Sequence, residues 1–173
     1  MLIKYIGIAA YSGFVNDVVK EKVLNVLKNI KEFCNGNFIF VVGGYEGLMK
    51  HIVDFALSLN FKVVILPPIE QEHRSFPDNA IVIKTGSTYT VRSAFLVHTS
   101  DILIVVGGGS GSLHELVAAY NEGKPIYVLT HTGLPTDVIE NIPEKIDYRI
   151  PIAIKRFKDP KDLAKELCIE ISK

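Results

Sequence analysis

A carboxylate, Glu115, follows six residues that carry nothing larger than a hydroxymethyl group: Gly107-Gly108-Gly109-Ser110-Gly111-Ser112. Backbone without Cβ atoms lets N–H groups approach a ligand closely, and a helix beginning here adds unpaired donors and partial positive charge. An anion, above all a phosphate, suits such a turn. A phosphate would repel Glu115, so that side chain is expected to address sugar hydroxyls or an attacking water. Cleavage of an N-glycosidic bond passes through a cation-like sugar, which a fixed carboxylate stabilises while it activates water; the same chemistry operates in glycoside hydrolysis. Arg92 is the second candidate, because a guanidinium grips a phosphate or carboxylate through two N–H groups and orients it. Two plainer readings stand beside these. Ser112-Leu113-His114-Glu115 is also S-x-x-E, the pattern of a capping box. Spacing alone makes Arg92 a solvated helix residue.

These residues need elements to position them. Ile102 to Val106 is an apolar run of strand length, and Leu113, Leu116, Val117 and Tyr120 recur at i, i+3, i+4 and i+7, one face of a helix. The central unit is therefore strand, glycine turn, helix. Strands and helices alternate along the rest of the chain, which predicts an α/β, Rossmann-like doubly wound fold with a mostly parallel sheet of about seven strands, in one domain over 1–173. Expected strands are Leu2 to Ala10, Phe38 to Val42, Lys62 to Leu66, Ala80 to Lys84, Ile102 to Val106, Pro125 to Leu129 and an edge strand from Arg149 to Ile154. A first long helix ends at Gly36, one follows Gly47, one runs to Val97, a short one spans Thr136 to Asn141, and Asp159-Pro160 caps the last, Leu163 to Ile171. Four glycine- or hydroxyl-rich turns, after strands one, two, four and five, share the carboxyl edge where ligands bind in open parallel sheets. The poorly patterned stretch 70–79 reads as a lid or as a surface excursion.

Composition narrows the chemistry. Lys+Arg and Asp+Glu both number 19, so no net field draws in nucleic acid or an acidic membrane. No run is long enough to span a bilayer, and the first residues read as a strand rather than a leader. Cys34 and Cys168 lie far apart without a CxxC, which predicts buried free thiols in a reducing cytoplasm. A single glutamine, Gln71, amid many Ile, Lys and Glu points to a heat-adapted source. No lysine follows the glycines as a P-loop requires, and no GxGxxG follows strand one, so a P-loop ATPase and a nicotinamide dehydrogenase are disfavoured. There is no GxSxG elbow. The five histidines have no metal-ligand spacing. Neither a metal nor a cofactor is expected.

Gly108-Gly109-Ser110-Gly111-Ser112-Leu113-His114-Glu115 resembles the PGGxGTxxE motif of the LOG family, often labelled lysine decarboxylase-like, and Gly43-Gly44-Tyr45-Glu46-Gly47-Leu48-Met49 resembles its GGGxxGLM. Arg92 lies between them where that family has its arginine, and Gly123-Lys124-Pro125 follows like its GKP. The resemblance implies a homodimer or homotetramer that binds a nucleoside 5′-monophosphate. Gly43, Gly44, Gly47, Gly108, Gly109, Ser110, Gly111 and Ser112 would form the phosphate and nucleotide site, with Arg92 and Glu115 catalytic in a phosphoribohydrolase. Nothing in the chain suggests a pyridoxal phosphate lysine, so a true lysine decarboxylase is not expected. Relatives include the molybdenum cofactor carrier proteins, which bind without turnover, and this chain resembles those shorter members most. It departs from the motifs at three places: Gly107 stands for the proline, Ser112 for the threonine and Val42 for the first glycine. Ser93 stands where cytokinin-activating members carry lysine.

Overall fold

The computed structural model describes residues 3–173, so the expected start of the first strand at Leu2 lies outside them. Seven parallel strands form one sheet in the order β4-β3-β2-β1-β5-β6-β7. They are β1 Lys4–Ala9, β2 Phe38–Val42, β3 Val63–Ile65, β4 Ile81–Val82, β5 Ile102–Val105, β6 Ile126–Leu129 and β7 Ile154–Phe157. Five α-helices connect them: α1 Asp17–Phe33, α2 Gly47–Ser58, α3 Tyr89–Thr99, α4 Ser110–Asn121 and α5 Pro160–Ile171. The expected short helix after β6 is a 3₁₀ turn, Pro135–Asn141, and another 3₁₀ turn spans Ile69–Gln71. The expected α/β, doubly wound fold is the observed one.

Because successive strand residues face opposite sides, each strand feeds two cores. Ile6, Ile8, Phe40, Val42, Ile102 and Ile104 pack against α1, α2 and α5. The alternate residues, among them Val41, Leu103, Val105 and Val128, pack with α3 and α4 on the other face. In α1 the apolar stripe Val23, Val26, Leu27 and Ile30 is fully buried, and Asn16 caps the helix by accepting from Val19 N–H at 3.0 Å. Asp159 and Pro160 start α5 as expected.

Two features correct the sequence reading. The last strand is Ile154–Phe157, not Arg149 to Ile154. Asp147 curls the chain back on itself there, its carboxylate accepting from Arg149 N–H at 2.9 Å and its carbonyl from Ile150 N–H at 3.2 Å. Pro151 then has no N–H to offer a ladder, so pairing with β6 begins only beyond it. The second correction concerns the cysteines: Cys34 and Cys168 form a disulfide, their Cα atoms 4.9 Å apart. It joins the C-cap of α1 to the last turn of α5 across 134 residues. The bridge removes the reason to place the chain in a reducing compartment. Among the described residues no helix is long and apolar enough to cross a membrane.

Candidate functional site

Chain order reverses between β1 and β5. Strands β1 to β4 are laid down one way, and the chain then returns to place β5 against the other side of β1. The loops leaving these two neighbours must therefore diverge to opposite faces, and a crevice opens between them. That crevice is a pocket of about 340 Å³. Ala10, Tyr11 and Ser12 line it from the loop after β1, Gly109 to Ser112 from the turn after β5, and Tyr89, Thr90, Arg92 and Ser93 from α3. Met49, His114 and Glu115 complete it.

The glycine turn meets α4 at Gly109, the N-cap. The first bond of the helix runs from Leu113 N–H to the Gly109 carbonyl, at 3.1 Å. The N–H groups of Ser110, Gly111 and Ser112 therefore precede the helical ladder and face the positive end of the dipole. Gly107 adopts φ +100°, a conformation closed to proline, whose ring holds φ near −65°. The glycine in place of the motif's proline thus accompanies a different path of the backbone. Gly108 lies outside the pocket lining, and its N–H is engaged by Thr136 Oγ1 at 3.0 Å.

Glu115 makes no capping box. The N-cap is Gly109 rather than Ser112, so the serine sits a full turn too far along to serve as one. Glu115 instead turns inward, 4% exposed, and meets Arg92, 7% exposed. Arg92 Nη1 donates to Glu115 Oε1 at 2.8 Å, and Ser93 Oγ donates to the same oxygen at 2.9 Å. Arg92 is thus not a solvated helix residue. Among the described residues Oε2 accepts no hydrogen bond, and the buried Arg92 Nε has no partner. Burial pushes the Glu115 carboxyl above its ordinary value, and Arg92 and Ser93 only partly offset this. The pair therefore lines the pocket with one spent and one free carboxylate oxygen, while the guanidinium Nε is buried without a partner among the described residues. It can hold an anion or hydroxyl and accept a proton.

The other expected site glycines stand behind this pair rather than in the pocket. A Cβ on Gly43 would occupy the space of the Arg92 guanidinium, so glycine here is what lets the arginine pass beneath the end of β2. Gly47 has φ +51°, and a side chain there would strike the carbonyls of Ser12 and Gly13. Gly44 lies against Met49 and Gln71. Segment 70–79 does not line the pocket and is tied down at its base: Gln71 Nε2 donates to Glu46 Oε2 at 2.5 Å and to Tyr89 Oη at 3.0 Å, and Arg74 pairs with Glu46. Tyr11, Ser12, Tyr89 and Thr90 were not singled out by sequence. The first two belong to the small-residue turn after strand one, whose place at the carboxyl edge was the available signal. Met49 and His114, which the sequence showed only as members of the two motifs, both reach the pocket. No cluster that could hold a metal ion occurs among the described residues.

Comparison with known proteins bears on the family and the fold. An uncharacterized protein of Archaeoglobus fulgidus is 33% identical over 124 residues, covering 68% of this chain and 78% of that one. Among solved structures, the structural-genomics target TM1055 superposes with a TM-score of 0.83 at 25% identity, over 97% of this chain and 99% of that one. The molybdenum cofactor binding protein of the phototrophic bacterium Rippkaea orientalis superposes at 0.76 and 21% identity, over 100% and 99%, a likeness of fold. These agree with the LOG-like, carrier-near resemblance carried by the glycine motifs. Residues 6–156, which enclose every residue of the pocket, match the SLOG cluster4 family, and the chain belongs to it.

Proposed function

We propose that the pocket binds a phosphorylated small molecule of the nucleoside 5′-monophosphate class and that Arg92 and Glu115 cleave its N-glycosidic bond. The observation that supports this reading is the buried pair itself, which lines the same pocket as the α4 N-terminus with Glu115 Oε2 unspent. The phosphate sits on the N–H groups of Ser110, Gly111 and Ser112, with the Ser112 hydroxyl as a further donor. Arg92 orients Glu115 and donates to the ribose. Water attacks C1′, its proton passes to Glu115 Oε2, and the base departs with the electrons of the C1′–N bond. The raised proton affinity of Glu115 suits an acceptor, because a base works best when its pKa approaches the working pH. A homo-oligomer completes the reading, for α3 and α4 expose Val91, Phe95 and Val117, while Arg92 and Glu115, the Asp, Glu, Lys or Arg residues these two helices contain, are buried.

Free base released from a panel of nucleoside 5′-monophosphates, separated by chromatography, is the direct measurement. Glu115→Gln is expected to lower turnover by about 10²–10⁴-fold while leaving ligand affinity within a few-fold. The second reading is a non-catalytic carrier using the same pocket. Its support is the end-to-end likeness of fold to a molybdenum cofactor binding protein. Tight binding of a phosphorylated ligand with no base released from any member of the panel would decide for the carrier.

A further inference from the structure

Arg92 and Ser93 are consecutive on α3, and consecutive helix residues point about 100° apart. Both nonetheless donate to a single atom, Oε1 of Glu115, at 2.8 and 2.9 Å. Only a carboxylate lowered between them from a helix packed across α3 can collect both bonds, and α4 is so placed. Ser93 is 3% exposed and its hydroxyl makes no other hydrogen bond among the described residues. We propose that Ser93 is a positioning residue: with Arg92 it immobilises Oε1 of Glu115, so that Oε2 alone is presented to a ligand and alone exchanges a proton. The proposal rests on the pocket reading above for its consequence in turnover, but not for the geometry of the carboxyl.

An oxygen already accepting two hydrogen bonds is a poor place for a proton, so protonation falls on Oε2, the oxygen free to face the pocket. A serine supplies this restraint without adding charge. The charged and titratable groups around Glu115 are Arg92 from α3, His114 beside it on α4, and the phenols of Tyr11 and Tyr89 across the pocket. The strands behind α4 contribute Ala9, Leu103, Val105 and Val128, all apolar. The 3₁₀ turn after β6 brings Thr136, bonded to Gly108, and Asp137, bonded to Thr132 and Gly133. Arg92 therefore supplies the fixed charge and Ser93, among the described residues, the one neutral side-chain donor to the carboxyl, and losing the donor leaves the carboxylate less well solvated in the same cavity.

The test follows the Glu115 carboxyl directly, by carbon-detected NMR titration of isotope-labelled protein, in the wild type, Ser93→Ala and Ser93→Thr. Ser93→Ala is expected to move the titration upward by about one pH unit, because a hydrogen bond to a charged group is lost. Ser93→Thr, which keeps the hydroxyl, is expected to restore the wild-type value. The acid limb of any base release should move upward with Ser93→Ala and return with Ser93→Thr. A titration unchanged in Ser93→Ala overturns the proposal, whatever the turnover. A titration that shifts as stated, in a protein that releases no base, upholds the positioning role and overturns the hydrolase reading instead.

Discussion

The two faces of the sheet are built on opposite plans. On one face α1 and α5 bury an aliphatic stripe and turn lysines, aspartates and glutamates outward, and a disulfide clamps them together. On the other face α3 and α4 contain one residue each from the Asp, Glu, Lys and Arg set, and these two, Arg92 and Glu115, point inward at each other. Their outer surfaces carry Val91, Phe95 and Val117. These helices bury Leu96, Val97, Leu116, Ala119 and Tyr120 in the core, yet they also turn their charge inward and leave apolar groups outside, which water disfavours. Burying an ion pair contributes little to stability, since desolvation offsets the attraction. On the function proposed above the two layers divide the work: one holds the fold, and the other would hold a ligand and a second copy of the chain.

This contrast can be broken in three ways. The largest effect is expected from Cys34→Ser with Cys168→Ser. Opening a covalent loop of this length should cost about 3–5 kcal/mol of stability, read from denaturant unfolding. Ligand affinity in the pocket should stay the same, and a parallel loss of binding would show that the two layers are not separate in role. Next is Phe95→Asp, which puts a charge on the bare face of α3. It should weaken self-association by roughly tenfold or more, as seen by light scattering across a concentration series, with the monomer still folded. An unchanged mass would mean that this face is not the contact between copies. The smaller expected loss of stability is that of Gly43→Ala, at about 1–3 kcal/mol of overpacking. Its interest lies in where the strain falls. The added methyl displaces the Arg92 guanidinium, so base release should fall much further than stability, although residue 43 never touches the ligand.

Much of the fold was legible because it is local. Apolar runs, helical stripes and caps such as Asp159-Pro160 depend on neighbours in the chain, and β1 to β6 and all five helices were found near where they lie. The last strand was misplaced because its start depends on a turn made by Asp147, whose carboxylate reaches Arg149, and no periodicity reports that. The disulfide was missed for a similar reason: its two halves meet only once α5 docks on α1. At the site, the glycine turn, Arg92 and Glu115 were all visible, but their burial was not. Ser112 and Glu115 have the spacing of a capping box, and only the position of the N-cap, three residues earlier than that box needs, releases the glutamate for Arg92. Gly43 was legible as part of a motif, yet its purpose, room for a guanidinium from another helix, belongs to three dimensions.

The bridge between Cys34 and Cys168 also changes what it means to cut this chain. Every loop that builds the pocket except the one after β1 lies between the two sulfurs, inside a closed covalent ring. A protease that severs one of those loops makes a nick rather than two proteins, because the sulfur link still holds the pieces as one molecule. The ring is complete only when the final helix has been synthesised, so the protection comes last, as a clasp closed on a finished object. Integrity of the pocket's loops and integrity of the molecule are in this way separate properties, and only a reductant joins them.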